Sequence, residues 1–367
     1  MRVVFTGGGT GGHIYPALAV AQQCKDEYPE SQFLYIGGQH GLESTIVPSQ
    51  NMEFKALNIT GFKRKLSFEN VKTVMRFMSG VRHSKKWLRQ FKPNVVIGTG
   101  GYVCGPVVYA AAKLGIPTII HEQNAVPGLT NRFLSKYVST VAVSFEEGLN
   151  AFPEAKKIVY TGNPRATTVY LADKRKGYES LGLPQHTKIV LVVGGSRGAQ
   201  AINNAMIAMS KQLYKLLNVH FVYVTGEKYF AATREAISEQ LGKIPSSLSV
   251  VPYVHNMPEV LAATSLIVNR AGASFLAEIN ALGIPSILIP SPNVTNNHQE
   301  KNARMLEKNN AAKVIVEADL TGEVLFQEIQ HIMRNDAVHR KMSAASKKLG
   351  KPDSAHLIVE EMKKIAK

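Results

Sequence analysis

The chain has 367 residues, 45% of them hydrophobic, and carries 43 Lys and Arg against 27 Asp and Glu, a formal net charge of +16. That length exceeds the roughly 250–300 residues one compact core supports, so two domains are expected. No run approaches the ~18–20 consecutive apolar residues of a spanning helix, so a soluble protein, or at most one bound to a membrane surface, is expected, and the positive charge calls for an anionic partner: nucleic acid, anionic lipid or a pyrophosphate-bearing substrate. The only cysteines, Cys24 and Cys104, lie in apolar surroundings, which argues against a disulfide framework and fits a reducing, cytoplasmic compartment. The chain opens directly on a strand, with no signal-type apolar segment expected.

The first strand, Arg2 to Phe5, runs into Gly7-Gly8-Gly9-Thr10-Gly11-Gly12-His13 and then into a helical Pro16–Ala21 stretch. A strand turning through glycine into a helix aims backbone N–H groups at one point, a site for phosphate or another anion. Glycine does not account for the imidazole of His13 at that point. Gly7, Gly9 and Gly12 also satisfy the dinucleotide fingerprint, but the second strand ends Ile36-Gly37-Gly38-Gln39 without the ribose-binding acid, so a dehydrogenase is disfavoured. Further strands are expected at Phe33–Ile36, Val95–Gly98, Thr118–Ile120 and Thr140–Val143.

Between them, Phe62 to Lys92 holds ten basic residues and the single acid Glu69. Val71, Val74, Met75, Met78 and Val81 keep helical spacing, and Phe68, Phe77 and Trp87 widen the stripe. A basic amphipathic helix suits an anionic membrane interface, with Phe68, Val71, Met75, Met78 and Trp87 as the apolar contacts. The competing reading is a stripe packed on the protein's own core.

Thr161-Gly162-Asn163-Pro164 reads as the link between halves, because Asn-Pro favours a turn and proline holds its predecessor extended. Beyond it the pattern repeats: Lys188–Val193 leads through Gly194-Gly195-Ser196-Arg197-Gly198 into an Ala-rich helix, and strands follow at Val219–Thr225, Leu248–Val251, Leu266–Val268, Ser286–Ile289 and Ala312–Ile315. The expected fold is α/β, two Rossmann-like doubly wound domains facing across a cleft. Residues 1–163 form the first and 164–350 the second, and an amphipathic helix within 351–367 crosses back to the first.

In the second half, Ser196, and Ala273 with Ser274 after Arg270-Ala271-Gly272, are placed to meet a diphosphate. Glu278, one helical turn past Ser274, is placed for both hydroxyls of a ribose. Asn296-Asn297-His298-Gln299-Glu300 offers mixed donors and acceptors for a sugar. Asp occurs only at 26, 173, 319, 336 and 353, so no D-x-D pair holds a divalent cation, and no H-E-x-x-H or C-x-x-C occurs. No metal site and no tightly bound cofactor is expected.

The ordered series Gly7–Ala21, Gly98-Thr99-Gly100-Gly101-Tyr102, His121-Glu122-Gln123-Asn124, Gly162-Asn163-Pro164, Gly194-Gly195-Ser196, Arg270–Glu278 and His298-Gln299 closely resembles the MurG family of N-acetylglucosaminyltransferases over essentially the whole chain. The resemblance implies the GT-B architecture and inverting transfer of GlcNAc from UDP-GlcNAc to lipid I, giving lipid II, in peptidoglycan synthesis. It implies a peripheral protein on the cytoplasmic face of the bacterial cell membrane, with UDP-GlcNAc, lipid I, an anionic membrane surface and the cell-wall synthesis machinery as partners, and no nucleic acid. Carried onto matching positions, Glu278 holds the ribose, Ala273, Ser274 and Ser196 the diphosphate, and the Val254 backbone the uracil. Asn124, His298 and Gln299 contact GlcNAc, Arg165 is a uracil or hinge contact, Arg270 belongs to the donor motif, and Thr10, Gly11 and Gly12 border the site. Phe275 stands where many relatives have threonine, so only backbone donation is implied there.

Inverting attack needs a base for the acceptor hydroxyl. His13 is the first candidate, since a helix N-terminus disfavours imidazolium, and Glu122 the second. A UDP-GlcNAc 2-epimerase shares the double Rossmann form but needs more acid/base residues around the sugar than the sequence offers.

Overall fold

The computed structural model describes residues 1–61, 68–195, 197–294 and 297–366, without the side chains of 68 and 69. The chain divides into two units, Met1–Thr167 with Lys351–Lys367, and Thr168–Gly350.

Unit 1 holds a seven-stranded parallel sheet in the order β3-β2-β1-β4-β5-β6-β7. Its strands are β1 Arg2–Thr6, β2 Gln32–Gly38, β3 Glu53–Leu57, β4 Val95–Gly98, β5 Thr118–Glu122, β6 Thr140–Val143 and β7 Ile158–Tyr160. Central strands such as Val95-Val96-Ile97 are apolar on both faces and fully buried, as expected where helices cover both sides of a parallel sheet. The two strands missing from the sequence reading, β3 and β7, are the sheet's edges. Neither has a run of buried residues: β3 buries only Leu57 and β7 none.

Unit 2 repeats the plan with six parallel strands, ordered β10-β9-β8-β11-β12-β13. They are β8 Lys188–Val193, β9 Val219–Val224, β10 Leu248–Val251, β11 Leu266–Asn269, β12 Ser286–Leu288 and β13 Ala312–Val314. One face is closed by the Gln200–Met209 and Gly322–Arg334 helices, whose Ile202, Met206, Leu325, Phe326 and Ile329 share one apolar cluster with Val190, Phe221 and Tyr223 of the sheet.

The boundary falls after Thr167, four residues beyond the expected one after Asn163. The intervening residues are tied into unit 1: the Arg165 guanidinium lies 5.3 Å from the centre of the Tyr15 ring, and Thr167 Oγ1 accepts the Ala355 N–H at 3.0 Å. The Ser354–Ile365 helix crosses back to unit 1, where Ile358, Val359 and Met362 join Ala17, Val20 and Ala21 of the Gly11–Glu27 helix in one buried cluster. Its Glu361, 4% exposed, accepts from Thr140 Oγ1 at 3.0 Å and from Lys157 Nζ at 2.5 Å.

Candidate active site

In unit 1 the strand order reverses at β1, which pairs with β2 on one side and β4 on the other. Ligands of open parallel sheets bind beyond the carboxyl ends of the strands at such a reversal. The turns leaving β1 and β4 interlock there. Gly8 N–H donates to the Gly100 carbonyl at 3.2 Å, Thr99 N–H to Thr6 O at 2.8 Å, and the Thr99 hydroxyl to His13 O at 2.6 Å. Residue 101 is obliged to be glycine: its φ is +84°, and a Cβ would lie 2.3 Å from the Gly8 carbonyl oxygen.

His13 sits in the first turn of the Gly11–Glu27 helix, behind the N-cap Thr10 and the side-chain-free Gly11 and Gly12. Its Nδ1 lies 2.8 Å from Gly8 O, with the Thr10 hydroxyl farther off at 3.4 Å. A carbonyl only accepts, so the hydrogen-bond network assigns the proton of the neutral ring to Nδ1 and the lone pair to Nε2. Nε2 faces the β4 turn, where a Cβ on Gly100 would come within 3.1 Å of it. The half-buried ring is thus held in one orientation with its basic nitrogen away from the holding bond.

Glu122 is differently placed. It is 2% exposed, and both oxygens are occupied: Oε1 accepts from Asn124 N at 3.0 Å and Asn124 Nδ2 at 3.2 Å, Oε2 from Gly128 N at 3.0 Å and Asn131 Nδ2 at 2.9 Å. Four donors thus converge on the second base candidate and shape the loop that carries Asn124. Gln123 and His121, beside it, brace the same region. Gln123 Nε2 donates to Thr99 O at 2.6 Å and to His121 Nδ1 at 3.1 Å, and His121 Nε2–H donates to Gly162 O at 2.9 Å. Burial pushes the His121 imidazole down to about 4, so it stays neutral in this role.

Unit 2 reverses at β8, between β9 and β11. The turn after β8 packs on the turn after β9: Gly198, at φ +73°, would set a Cβ 2.1 Å from Thr225 O. Ser196 in this turn lies outside the described residues. Across the reversal, Gly272 caps the Ala273–Leu282 helix, which puts Ala273 and Ser274 in its first turn and Glu278, 3% exposed, one turn on. Val254, 8% exposed, lies in the loop beyond β10. His298 and Gln299 open the His298–Lys308 helix, and Gln299 Oε1 accepts the Ser291 N–H at 2.8 Å. These residues all belong to segments leaving the carboxyl edge of the sheet.

Arg270, expected with the donor motif, has protein partners of its own. Its guanidinium meets Glu317 at 2.5 Å and donates to Ile289 O at 3.0 Å. It braces the turns after β11, β12 and β13 against one another.

The basic stripe splits in two. Val71, Val74, Met75 and Met78 of the Phe68–Phe91 helix are 58, 49, 60 and 61% exposed, with Lys72, Arg82, Lys86 and Arg89 exposed along the same helix. Trp87, expected on the membrane face, is half-buried with Phe77 against the cluster that includes Val81, Leu88 and Val107. The side chain of Phe68 lies outside the described residues. No helix among the described residues is long and apolar enough to cross a membrane, and no group of three His, Cys, Asp or Glu among them is placed to hold a metal ion.

Two doubly wound parallel units, each with glycine turns at its point of strand reversal, together with the family and structural matches below, place the chain in the GT-B class. Models of the glycosyltransferase family 28 N-terminal and C-terminal domains match residues 3–143 and 189–358, and the chain belongs to that family, in its MurG branch. It is 54% identical, over the full length of both chains, to a Bacillus cytotoxicus protein named UDP-N-acetylglucosamine--N-acetylmuramyl-(pentapeptide) pyrophosphoryl-undecaprenol N-acetylglucosamine transferase. The crystal structure of Acinetobacter baumannii MurG is similar over 99% of each chain, with a TM-score of 0.77 and 29% identity. A Neisseria meningitidis UDP-GlcNAc 2-epimerase bound to UDP-GlcNAc superposes with a TM-score of 0.72 over 99% of this chain and 100% of that one, but at 16% identity, a likeness of fold alone.

Proposed function

We propose that the protein transfers N-acetylglucosamine from UDP-GlcNAc to the muramyl 4-hydroxyl of lipid I, giving lipid II with inversion at the anomeric carbon. The observation that carries this reading is the 54% identity, end to end, with a relative bearing that transferase name.

Unit 2 holds the donor. Amides at the start of the Ala273–Leu282 helix and in the Gly194–Gly198 turn meet the diphosphate, Glu278 accepts from the ribose hydroxyls, and the Val254 backbone reads the uracil. In unit 2, His298 and Gln299 address the sugar. In the reaction the acceptor oxygen bonds to the anomeric carbon as the bond to the UDP oxygen breaks, and that oxygen leaves with the electron pair. The negative charge growing on the leaving diphosphate is met by helix N-terminal amides. The hydroxyl proton passes to His13 Nε2, whose lone pair the Gly8 hydrogen bond leaves available. Thr10, Gly11, Gly12 and Arg165 line the same end of unit 1.

The exposed Val71, Val74, Met75 and Met78 with their basic neighbours support docking on an anionic bilayer, at the cytoplasmic face of the cell membrane where lipid I is presented. Radiolabelled UDP-GlcNAc offered with lipid I in detergent tests the activity. Label is expected in a lipid-extractable disaccharide product; label recovered only as free or UDP-linked ManNAc contradicts the proposal.

A further inference from the structure

Glu43 is fully buried, and no step of the chemistry above uses it. It opens the short Glu43–Ile46 helix just past β2, yet its carboxylate lies beneath the turn that leaves β1. Oε2 accepts the Gly9 N–H at 3.0 Å and Oε1 the Gly38 N–H at 2.9 Å. Glycines surround it: a Cβ on Gly8, Gly41 or Gly37 would lie 2.1, 2.2 or 2.7 Å from an atom of its side chain. The amide N–H of Gly9 and the carbonyl of Gly8 belong to one peptide group, and that carbonyl accepts the Nδ1 proton of His13 at 2.8 Å. Carboxylate, peptide and imidazole therefore form one unbroken chain of hydrogen bonds.

The geometry points to Glu43 as the positioning residue of the base, acting on His13 through the Gly8–Gly9 peptide. A carboxylate bonded to the N–H end of a planar peptide polarises it and makes its carbonyl a stronger acceptor. That carbonyl fixes the Nδ1–H tautomer and, when Nε2 takes the acceptor proton, stabilises the imidazolium. The arrangement does through one peptide what a carboxylate bonded directly to a histidine does in hydrolases. It also gives the first glycine turn an anion of its own, so the Gly9 amide is directed inward at Glu43.

This inference rests on His13 as the base, and the test separates the two. The other titratable groups around the turn are Tyr35, whose Oη donates to Gly7 O at 2.8 Å, Tyr102, Cys104 and His121, with Tyr15 and Arg165 beyond Gly11 and the exposed His40 beside Gly41. Burial raises Tyr35 and Tyr102, pushes the Cys104 thiol up to about 12 and lowers His121 to about 4, so all four stay uncharged through the neutral range.

The full-length enzyme is assayed with UDP-GlcNAc and a soluble lipid I analogue. Glu43→Gln is expected to lower kcat about tenfold, less than the ~10²- to 10⁴-fold for loss of the base itself because Glu43 acts through a peptide, with KM for UDP-GlcNAc unchanged. The acid limb of its pH profile moves to lower pH, because an imidazolium without the relayed charge forms less readily. In a His13→Ala background the same substitution has no further effect on kcat. An equal loss in both backgrounds, an unmoved limb, or an unchanged kcat overturns the relay while leaving His13 as base; near-normal turnover by His13→Ala overturns the base itself. Because the Glu43→Gln substitution sets an NH2 group against a backbone N–H and can compromise folding, the unsubstituted protein supplies an independent measurement. ¹⁵N NMR of histidine-labelled enzyme is expected to show neutral His13 protonated on Nδ1, and an Nε2–H ring overturns the relay.

Discussion

At the scale of single residues, His13 is held by one carbonyl, Glu122 by four donors and Glu43 by two backbone amides. His13 is legible because the strand, glycine turn and helix start that present it are contiguous. Glu122 looks equally available in the one-dimensional chain, yet its four donors from Asn124, Gly128 and Asn131 occupy it. Glu43 gives no local signal, since the amide of Gly9 that it holds is brought over it by the pairing of β1 with β2. His121 shows the energetic side of such burial. Its folded-state ring protonates only near about 4, with burial the largest cause, whereas the unfolded ring protonates near ~6.5. The unfolded state thus binds the extra proton between those values, so stability is complete above pH ~6.5 and falls as the pH drops toward 4, by about 3 kcal/mol in all. Urea unfolding followed through Trp87, the single tryptophan and a unit 1 residue, is expected to show most of that loss by pH 4.5. His121→Gln should flatten this dependence; an equally steep loss in the variant would assign it to other groups.

The same division holds for whole elements. Central strands were readable because both faces are buried and their apolar runs are continuous, whereas β3 and β7 lie at sheet edges and carry little of that pattern. The Phe68–Phe91 helix was readable from its period, but periodicity alone could not say which apolar residues turn inward. Val81, Leu88, Phe77 and Trp87 pack on the core, and Val71, Val74, Met75 and Met78 face outward. A surface apolar patch of this kind beside lysine and arginine predicts binding to anionic vesicles that weakens with salt. Replacing Met75 and Met78 together by Glu is expected to weaken cosedimentation with such vesicles at least about tenfold, since each buried methionine is worth about 1.5–3 kcal/mol. Turnover of a soluble acceptor analogue should be preserved. Undiminished vesicle binding would move the membrane contact elsewhere.

For the whole molecule, the loose sequence duplication becomes two sheets with the same reversal of strand order, β1 between β2 and β4 and β8 between β9 and β11. The repetition was legible because each copy keeps a strand, a glycine turn and a helix together. The exact boundary was less so, because Arg165 and Thr167 are held in unit 1 by Tyr15 and by the returning C-terminal helix, contacts remote in sequence. Similar architecture serves different roles in the two copies. The first glycine turn carries an oriented histidine over a buried carboxylate, and the second lies beside a helix start with Glu278 one turn inside it. The assignment of the base to unit 1 and the donor site to unit 2 is tested by His13→Ala, with turnover and UDP-GlcNAc affinity measured on the same preparation. In the variant kcat is expected to fall by about 10²- to 10⁴-fold, as for loss of a general base, while the dissociation constant for UDP-GlcNAc stays unchanged. Retained turnover, or a loss of affinity matching the loss of rate, would contradict it.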